Sequence, residues 1–176
     1  VAVDGNYVVL GGADGARVLN DVNILNIERL AWSQPISKGI GPEALVFHGL
    51  ASTTETDKKG NVHGHLYVFG GGDGKFWLND LLILDLTNLE WSGPVQTHGI
   101  APVGRLQHSA IIYDKLIYIF GGEPDQLRQL NDIFYLDTET LTWVKPQVSG
   151  DEPSARVSTT GCLIDSKIIY FGGYDG

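Results

Sequence analysis

Two histidines, His63 and His65, are the residues of this chain whose spacing best suits a metal ion. Alternate residues of a strand point to the same side, so both imidazoles could reach one ion. No carboxylate or third histidine stands beside them to complete a ligand set. The single cysteine, Cys162, lies in an apolar stretch beside Leu163 and Ile164, and we expect a buried, unreactive thiol. The sequence therefore predicts no metal and no cofactor.

The stretch Gly70–Lys75 reads Gly-Gly-Gly-Asp-Gly-Lys and has some likeness to a phosphate-binding loop. Its glycine spacing differs from that of a P-loop, and Phe76 stands where a Ser or Thr would coordinate Mg²⁺. No helix is expected after it. Phosphate binding at this loop is therefore rejected.

Three aspartates are the remaining candidates for catalytic carboxylates, but they belong to a repeated pattern. Gly-Gly pairs follow apolar runs at intervals of 59, 51 and 51 residues, an Asn-Asp pair follows the first three, and a Trp lies 12 residues after each of those Asn. A catalytic acid is singular, whereas a turn or a packing contact recurs. We interpret the whole recurring set as structural: Gly11, Gly12, Gly70, Gly71, Gly121, Gly122, Gly172, Gly173, Asp21, Asp80, Asp132, Trp32, Trp91 and Trp143.

Each unit is predicted to contain four strands. In the third unit they are residues 107–113, 116–120, 133–136 and 142–145, separated by turn-forming residues. The second of these strands is apolar on successive residues, which indicates burial on both faces. A small antiparallel sheet that is covered on both sides and repeats about every 50 residues indicates propeller blades. The glycine pairs would supply positive φ at sharp turns, and the tryptophans would fill the space between blades.

This order of Gly-Gly, loop, Asn-Asp strand and Trp resembles the kelch repeat, and the likeness covers nearly the whole chain. The resemblance implies an all-β, kelch-type β-propeller of four-stranded antiparallel blades. We assign residues 1–176 to one partial propeller with repeats at about 1–35, 40–94, 102–146 and 153–176. Because this gives about three and a half blades, and because residue 1 is not Met, we expect an incomplete part of a larger ring. Further blades from the same chain are favoured over a second copy.

The repeats differ in two informative ways. The step from the first to the second is eight residues longer, and the excess is polar, so residues 52–61 are expected to form a solvated loop between two strands. The third and fourth units carry Arg105 and Arg156 ahead of their first strand, but the second has Leu45 at that position. If this arginine links blades or contacts a ligand, the second blade lacks that contact.

Partner binding is expected where the second-to-third and fourth-to-first loops share one face of the disc, because kelch propellers generally bind peptides or proteins there. These loops vary in chemistry between repeats, each second-to-third loop has a cation, and the second adds two aromatic residues. The alternative is that these aromatic rings pack under the loop and the charges are solvated. The candidate partner-binding residues are Asp14, Arg17, Asp73, Lys75, Phe76, Trp77, Arg105, Asp125, Gln126, Arg128 and Arg156.

The favoured function is a protein–protein interaction module, an adaptor or scaffold that recognises a peptide or protein. The alternatives are a structural subunit of a large assembly, or the regulatory propeller of an enzyme whose catalytic domain lies elsewhere. Some kelch-type propellers are copper oxidases or iron-dependent specifier proteins. No copper-site motif surrounds Cys162, and Asp57, Asn61 and His65 have the spacing of the iron ligands but the wrong residues at the first two positions. We therefore predict no enzymatic activity within this segment.

Charge and hydropathy narrow the classes of partner. The chain has 12 Lys and Arg against 21 Asp and Glu, a net charge of −9, which argues against nucleic acid or an anionic membrane as the main partner. Its longest apolar run is too short to span a bilayer. We expect a protein of the cytoplasm or nucleus.

Overall fold

The computed structural model describes all 176 residues and contains sixteen β-strands. No helix in it has the length and apolar character that a membrane span requires. The strands are β1 Ala2–Val3, β2 Asn6–Ala13, β3 Val18–Asn26, β4 Ala31–Ser33, β5 Lys38–Gly39, β6 Gly49–Thr56, β7 Val62–Phe69, β8 Leu81–Asp85, β9 Glu90–Ser92, β10 His98–Gly99, β11 Ser109–Tyr113, β12 Leu116–Phe120, β13 Ile133–Asp137, β14 Thr142–Val144, β15 Thr160–Ile164 and β16 Lys167–Phe171.

These strands form four sheets, which we call blades 1 to 4. Blade 1 has the order β1-β2-β3-β4, blade 2 β5-β9-β8-β7-β6, blade 3 β10-β14-β13-β12-β11, and blade 4 is the hairpin β15-β16. In each of the first three, four consecutive strands pair antiparallel with their neighbours. The predicted all-β architecture of four-stranded antiparallel blades is confirmed.

Apolar side chains on both faces of each blade explain why the blades stack. One buried cluster joins blade 1 to blade 2 and includes Val8, Leu10, Leu66 and Leu84. A second joins blade 2 to blade 3 through residues such as Phe69. Burying both faces of a sheet favours strands with successive apolar residues, as in β12.

A connecting segment from each blade runs along the outer edge of the next. The short strand β5 arrives from blade 1 and pairs parallel with β9 of blade 2, and β10 pairs with β14 of blade 3 in the same way. These segments lie over the repeated tryptophans. Trp91 is buried and donates its indole N–H to Ser37 Oγ at 3.1 Å, and Trp143 is also buried.

Within these 176 residues Trp32 does not fill the space between two blades as expected, since it is 60% exposed. No segment of the structure lies over Trp32 as Ser37–Gly41 lies over Trp91. Instead its ring borders an open surface with Val9 and Asn23.

The polar insert differs from the predicted solvated loop. Residues 52–56 belong to β6, which pairs with β7 along eight residue pairs from Gly49–Phe69 to Thr56–Val62. Only the turn between these strands, residues 57–61, lies outside them. Asp57 closes that turn by accepting hydrogen bonds from the backbone N–H groups of Lys59 and Asn61. The eight extra residues therefore lengthen a hairpin, because strand pairing satisfies backbone groups that a loop would leave to water.

Blade 4 presents an open face. Cys162 lies in β15 and is exposed, contrary to the expectation of a buried thiol. It pairs with Ile169 of β16, which is also exposed, as are Ile164 and Phe171. The opposite face packs on blade 3, where the rings of Phe120 and Tyr170 lie 4.6 Å apart. No other blade of these 176 residues packs on this face.

The Gly-Gly pairs directly follow the second strand in blades 2 to 4 and lie within β2 in blade 1. All eight of these glycines have φ between +56° and +98°. Gly71 shows why a side chain does not fit, since a Cβ there would lie 2.7 Å from His48 Cβ and 2.8 Å from Val46 O. The first strand of the blade therefore approaches the backbone at this point more closely than an alanine permits.

Candidate loop-face binding site

Two kinds of loop meet on one face of the blades, which we call the loop face. The segment that leads into a blade crosses the loop between the second and third strands of the preceding blade. Arg105 N–H donates to Leu78 O at 3.1 Å, and Gly71 N–H donates to Arg105 O at 2.9 Å. Backbone bridges between Val46 and Gly72, and between Leu106 and Glu123, complete this surface.

Three of the predicted partner-binding residues shape these loops from within. Asp14 Oδ1 accepts hydrogen bonds from two backbone N–H groups of its own loop, and Asp73 Oδ1 does the same with Lys75 N and Phe76 N, both at 2.8 Å. Asp125 Oδ1 accepts one from Leu127 N at 2.9 Å. These backbone hydrogen bonds hold the carboxyl pKa of Asp14 and Asp73 below its ordinary value. The aspartates thus fix the loop conformation, as side chains of Asx turns do.

The three loop cations differ in how they are paired. Arg17 lies 3.4 Å from the carboxylate of Asp14, and Arg128 lies 3.1 Å from that of Asp125, each within its own loop. Lys75 makes no ion pair. Of the three loop cations, Lys75 is therefore the one whose charge is unpaired within the chain.

A cleft of about 250 Å³ opens at the loop face between blades 2 and 3. Phe47 and Phe76 line it and are 58% and 67% exposed. Trp77 is half-buried beside them, and its indole N–H is buried without a hydrogen-bond acceptor. We call this the loop-face cleft; its lining residues are Val46, Phe47, Gly72, Gly74, Lys75, Phe76, Trp77, Leu106 and Gln126.

The structure brings four predicted site residues together in this cleft: Lys75, Phe76, Trp77 and Gln126. Phe47 also lines the cleft and was not among the predicted residues. The repeat contained a signal for this residue, because Phe47 directly precedes His48 just as Gln107 directly precedes His108. The fourth unit has Ser158 and Thr159 at these two positions.

A hydrogen-bonded rim of three residues, Phe47, Gln107 and Ser158, joins successive blades. Phe47, Gln107 and Ser158 all have φ of +56° or +57° although none is glycine. Gln107 N–H donates to Phe47 O at 2.9 Å, and Ser158 N–H donates to Gln107 O at 2.8 Å. Residues held in this sparsely populated region often lie at functional sites. The rim fixes the position of the Phe47 ring in the cleft.

Arg105 does not fit the expected role of a partner-binding residue. Its side chain is fully buried and donates two hydrogen bonds to the carboxylate of Asp132 and one to Gly121 O. Its backbone is bonded to blade 2 and its side chain to blade 3, so it links neighbouring blades. Arg156 is half-buried and similarly bonded to Gly172 O and Ser154 O. Neither guanidinium faces the loop-face cleft.

Two histidines are held neutral by burial, and no histidine belongs to a cluster of metal-binding side chains. Burial lowers the pKa of His48 to about 4 and that of His108 to about 3, so both imidazoles are neutral near pH 7. His63 contacts Asp57 at 3.4 Å within the long hairpin. No group of three or more His, Cys, Asp or Glu side chains is arranged to hold a metal ion.

A sequence model described as the Attractin/LZTR1 beta-propeller matches residues 66–176, which is more than half of the chain. The chain belongs to this family of beta-propellers. Among its relatives, the Rab9 effector protein with kelch motifs of Xenopus laevis is 31% identical over 98% of this chain and 45% of its own length. Kelch domain-containing protein 3 of Rattus norvegicus is 29% identical over 88% of this chain and 40% of its own length.

The relatives named for kelch motifs support membership of the kelch-repeat propellers and, in general terms, a protein-interaction module. A probable serine/threonine-protein kinase of Dictyostelium discoideum is 31% identical over 98% of this chain but only 13% of its own length. The chain thus spans less than half the length of each of these relatives. The match to the kinase covers too little of that protein to assign its activity to this propeller.

Proposed function

We propose that this propeller segment is an adaptor or scaffold module that binds a peptide or protein partner in the loop-face cleft. The observation that carries the proposal is the exposure of Phe47 and Phe76 in one cleft, beside the unpaired Lys75. Exposed aromatic rings in a cleft are typical of recognition sites, because burial against a partner gains apolar contact. The same features are costly on a surface without a partner.

The cleft favours an acidic or mixed-charge segment with one apolar side chain. An apolar side chain would be buried between the two phenylalanine rings. Lys75 supplies the unpaired positive charge for a carboxylate of the partner. Since the whole chain carries a net charge of −9, this local cation gives a partner a defined orientation rather than general attraction.

The test uses the full-length protein captured from its source cells, with bound proteins identified by mass spectrometry. Phe47→Ser together with Phe76→Ser should remove the specific partners. Arg17→Ala together with Arg128→Ala is the matched control, because those cations are already paired within their loops. Full binding by the double Phe variant would refute the proposal.

We further propose that additional blades of the same polypeptide cover the two end faces. Trp32, Val9 and Tyr7 are exposed on blade 1, and Ile164, Ile169 and Phe171 on blade 4. Contiguous apolar faces with an unpaired strand edge favour association. The exposed Trp32 favours the same chain over a second copy, because Trp91 and Trp143 are each covered by the segment that immediately precedes their blade.

A further inference from the structure

One position of the repeat is an arginine in blades 3 and 4 but a leucine in blade 2. Three residues before the first strand's His or Thr, blade 3 has Arg105, blade 4 has Arg156, and blade 2 has Leu45. The backbones at these positions make the same hydrogen bonds. Arg105 N–H donates to Leu78 O, Arg156 N–H to Leu130 O, and Leu45 N–H to Leu19 O. The three side chains therefore leave the backbone at equivalent positions of the fold.

In blade 3 the guanidinium binds three acceptors. Arg105 Nε donates to Val103 O at 3.2 Å, Nη1 donates to Gly121 O at 2.9 Å, and the two Nη atoms donate to the Asp132 carboxylate. In blade 4, Arg156 repeats the two carbonyl contacts at 3.0 and 2.9 Å with Ser154 O and Gly172 O. Two blades thus show the same way of holding an arginine.

Blade 2 keeps the acceptors and lacks the donor. The equivalent groups are the carbonyls of Glu43 and Gly70 and the carboxylate of Asp80, which we call the vacant cradle. Leu45 is too short to reach them, and its side chain is buried in the core beside Leu82. Neither carbonyl accepts a hydrogen bond from another residue, and the carboxylate of Asp80, an exposed residue, has no partner in the chain.

A cavity of about 240 Å³ occupies this place. Leu45 and Leu82 line it together with Ile40 and Pro94, and Asp80 and Glu43 add acidic groups. A volume below the ~300–1000 Å³ of drug-sized sites suits a single side chain. Its apolar lining fits the methylene stem of an arginine, and the acceptors of Glu43 and Asp80 fit the guanidinium. The equivalent place in blade 3 is occupied by the Arg105 side chain, which is fully buried.

We propose that the vacant cradle binds an arginine side chain of the partner, whose guanidinium takes the place that Arg105 fills in blade 3. This rests on the proposed function in that the arginine belongs to the partner bound at the loop face. The loop between β7 and β8 lines both sites, since Lys75 and Phe76 border the loop-face cleft while Asp73 and Leu78 border the cradle cavity. Arginine is favoured over lysine because a planar fork of donors matches a carboxylate and two carbonyls together.

The first experiment follows the backbone amide resonances of Gly41 and Ala44, which line the cavity, in the full-length protein. The probes are N-acetyl-arginine amide, its lysine counterpart, and the citrulline counterpart, which has nearly the same shape and no charge. We expect saturable shifts with the arginine probe and binding that is ~10-fold weaker with citrulline and lysine. Equal binding of the three probes, or no saturable shift, would overturn the proposal.

Two variants locate the binding. Leu45→Arg should fill the cradle from within the chain and abolish the shifts, and Asp80→Asn should weaken binding of the arginine probe ~10-fold. If both variants bind the probe as the unaltered protein does, the cradle is not the site. Phe47→Ser with Phe76→Ser should leave probe binding unchanged. If the double Phe variant loses the partner but still binds the probe, the result tests the cleft alone. If the unaltered protein does not bind the arginine probe, the result tests the cradle alone.

Discussion

The guanidinium of Arg105 is joined to the carboxylate of Asp132 by two hydrogen bonds of 2.7 and 3.1 Å, while its backbone is bonded to the preceding blade. The guanidinium is fully buried and the Asp132 side chain is one-fifth exposed. One residue thus joins two blades. The equivalent aspartate of blade 2, Asp80, has no such partner because Leu45 replaces the arginine.

Asp132→Asn should destabilise the fold by about 3 kcal/mol, because it leaves a buried guanidinium without its counter-charge. Asp80→Asn is the matched control and should change the free energy of unfolding by about 0.5 kcal/mol or less, since it breaks no contact. Urea denaturation of the two variants measures the difference. Equal effects would show that the ion pair does not stabilise the blade junction.

Stability should fall on acidification through two buried histidines. Burial lowers the pKa of His48 to about 4 and of His108 to about 3, from an ordinary value of 6.5. Below pH 6.5 the unfolded chain takes up protons that the folded protein does not, so their stabilising contribution is complete above that pH. It is lost as the pH falls towards these folded values, by up to about 1.4 kcal/mol per pH unit for each histidine.

The measurement is the free energy of unfolding in urea at pH 8 and pH 5. His48→Gln with His108→Gln should reduce the difference between the two values, whatever its effect on absolute stability. His98→Gln, at an exposed histidine, should leave that difference unchanged. A double variant with the full acid sensitivity of the unaltered protein would contradict the assignment.

Gly71→Ala should destabilise the protein more than an alanine at another glycine with positive φ. Gly71 has φ +86° and a Cβ there would lie 2.7 Å from His48 Cβ, whereas Gly60 has φ +85° and open space around it. The Gly60 variant carries only backbone strain, about 1–2 kcal/mol. The Gly71 variant adds the steric clash, and we expect about 3 kcal/mol in total. Thermal unfolding of both variants distinguishes strain from close packing.

Cys162 tests whether further blades cover blade 4. In the 176-residue segment its thiol is exposed and should react rapidly with a thiol reagent. In the full-length protein, a covering blade should slow the reaction at least ~10-fold without denaturant. An equal rate in both forms would mean that this face stays open.

Local patterns were sufficient to predict the repeats and most strand positions. In the third unit, the predicted second strand, 116–120, coincides with β12, and the others differ by at most two residues at either end. Strand signals of this kind depend on neighbouring residues in the chain. The insert was predicted as a loop but forms a longer hairpin, because polar residues such as Thr53 and Thr54 suit an exposed hairpin as well as a loop.

Other features were decided only by tertiary structure. The burial of Trp91 depends on a segment that crosses it, with Ser37 lying 54 positions away in the chain, and no local pattern encodes that contact. The sequence showed the arginine position and its replacement by Leu45, but not that Arg105 faces Asp132 instead of a partner. Phe47 joins Phe76 and Trp77 in one cleft although they lie about 30 residues apart in the chain. The repeat in the sequence determined which residues recur. The packing of the blades determined which of them have a partner within the chain and which stay exposed or unpaired.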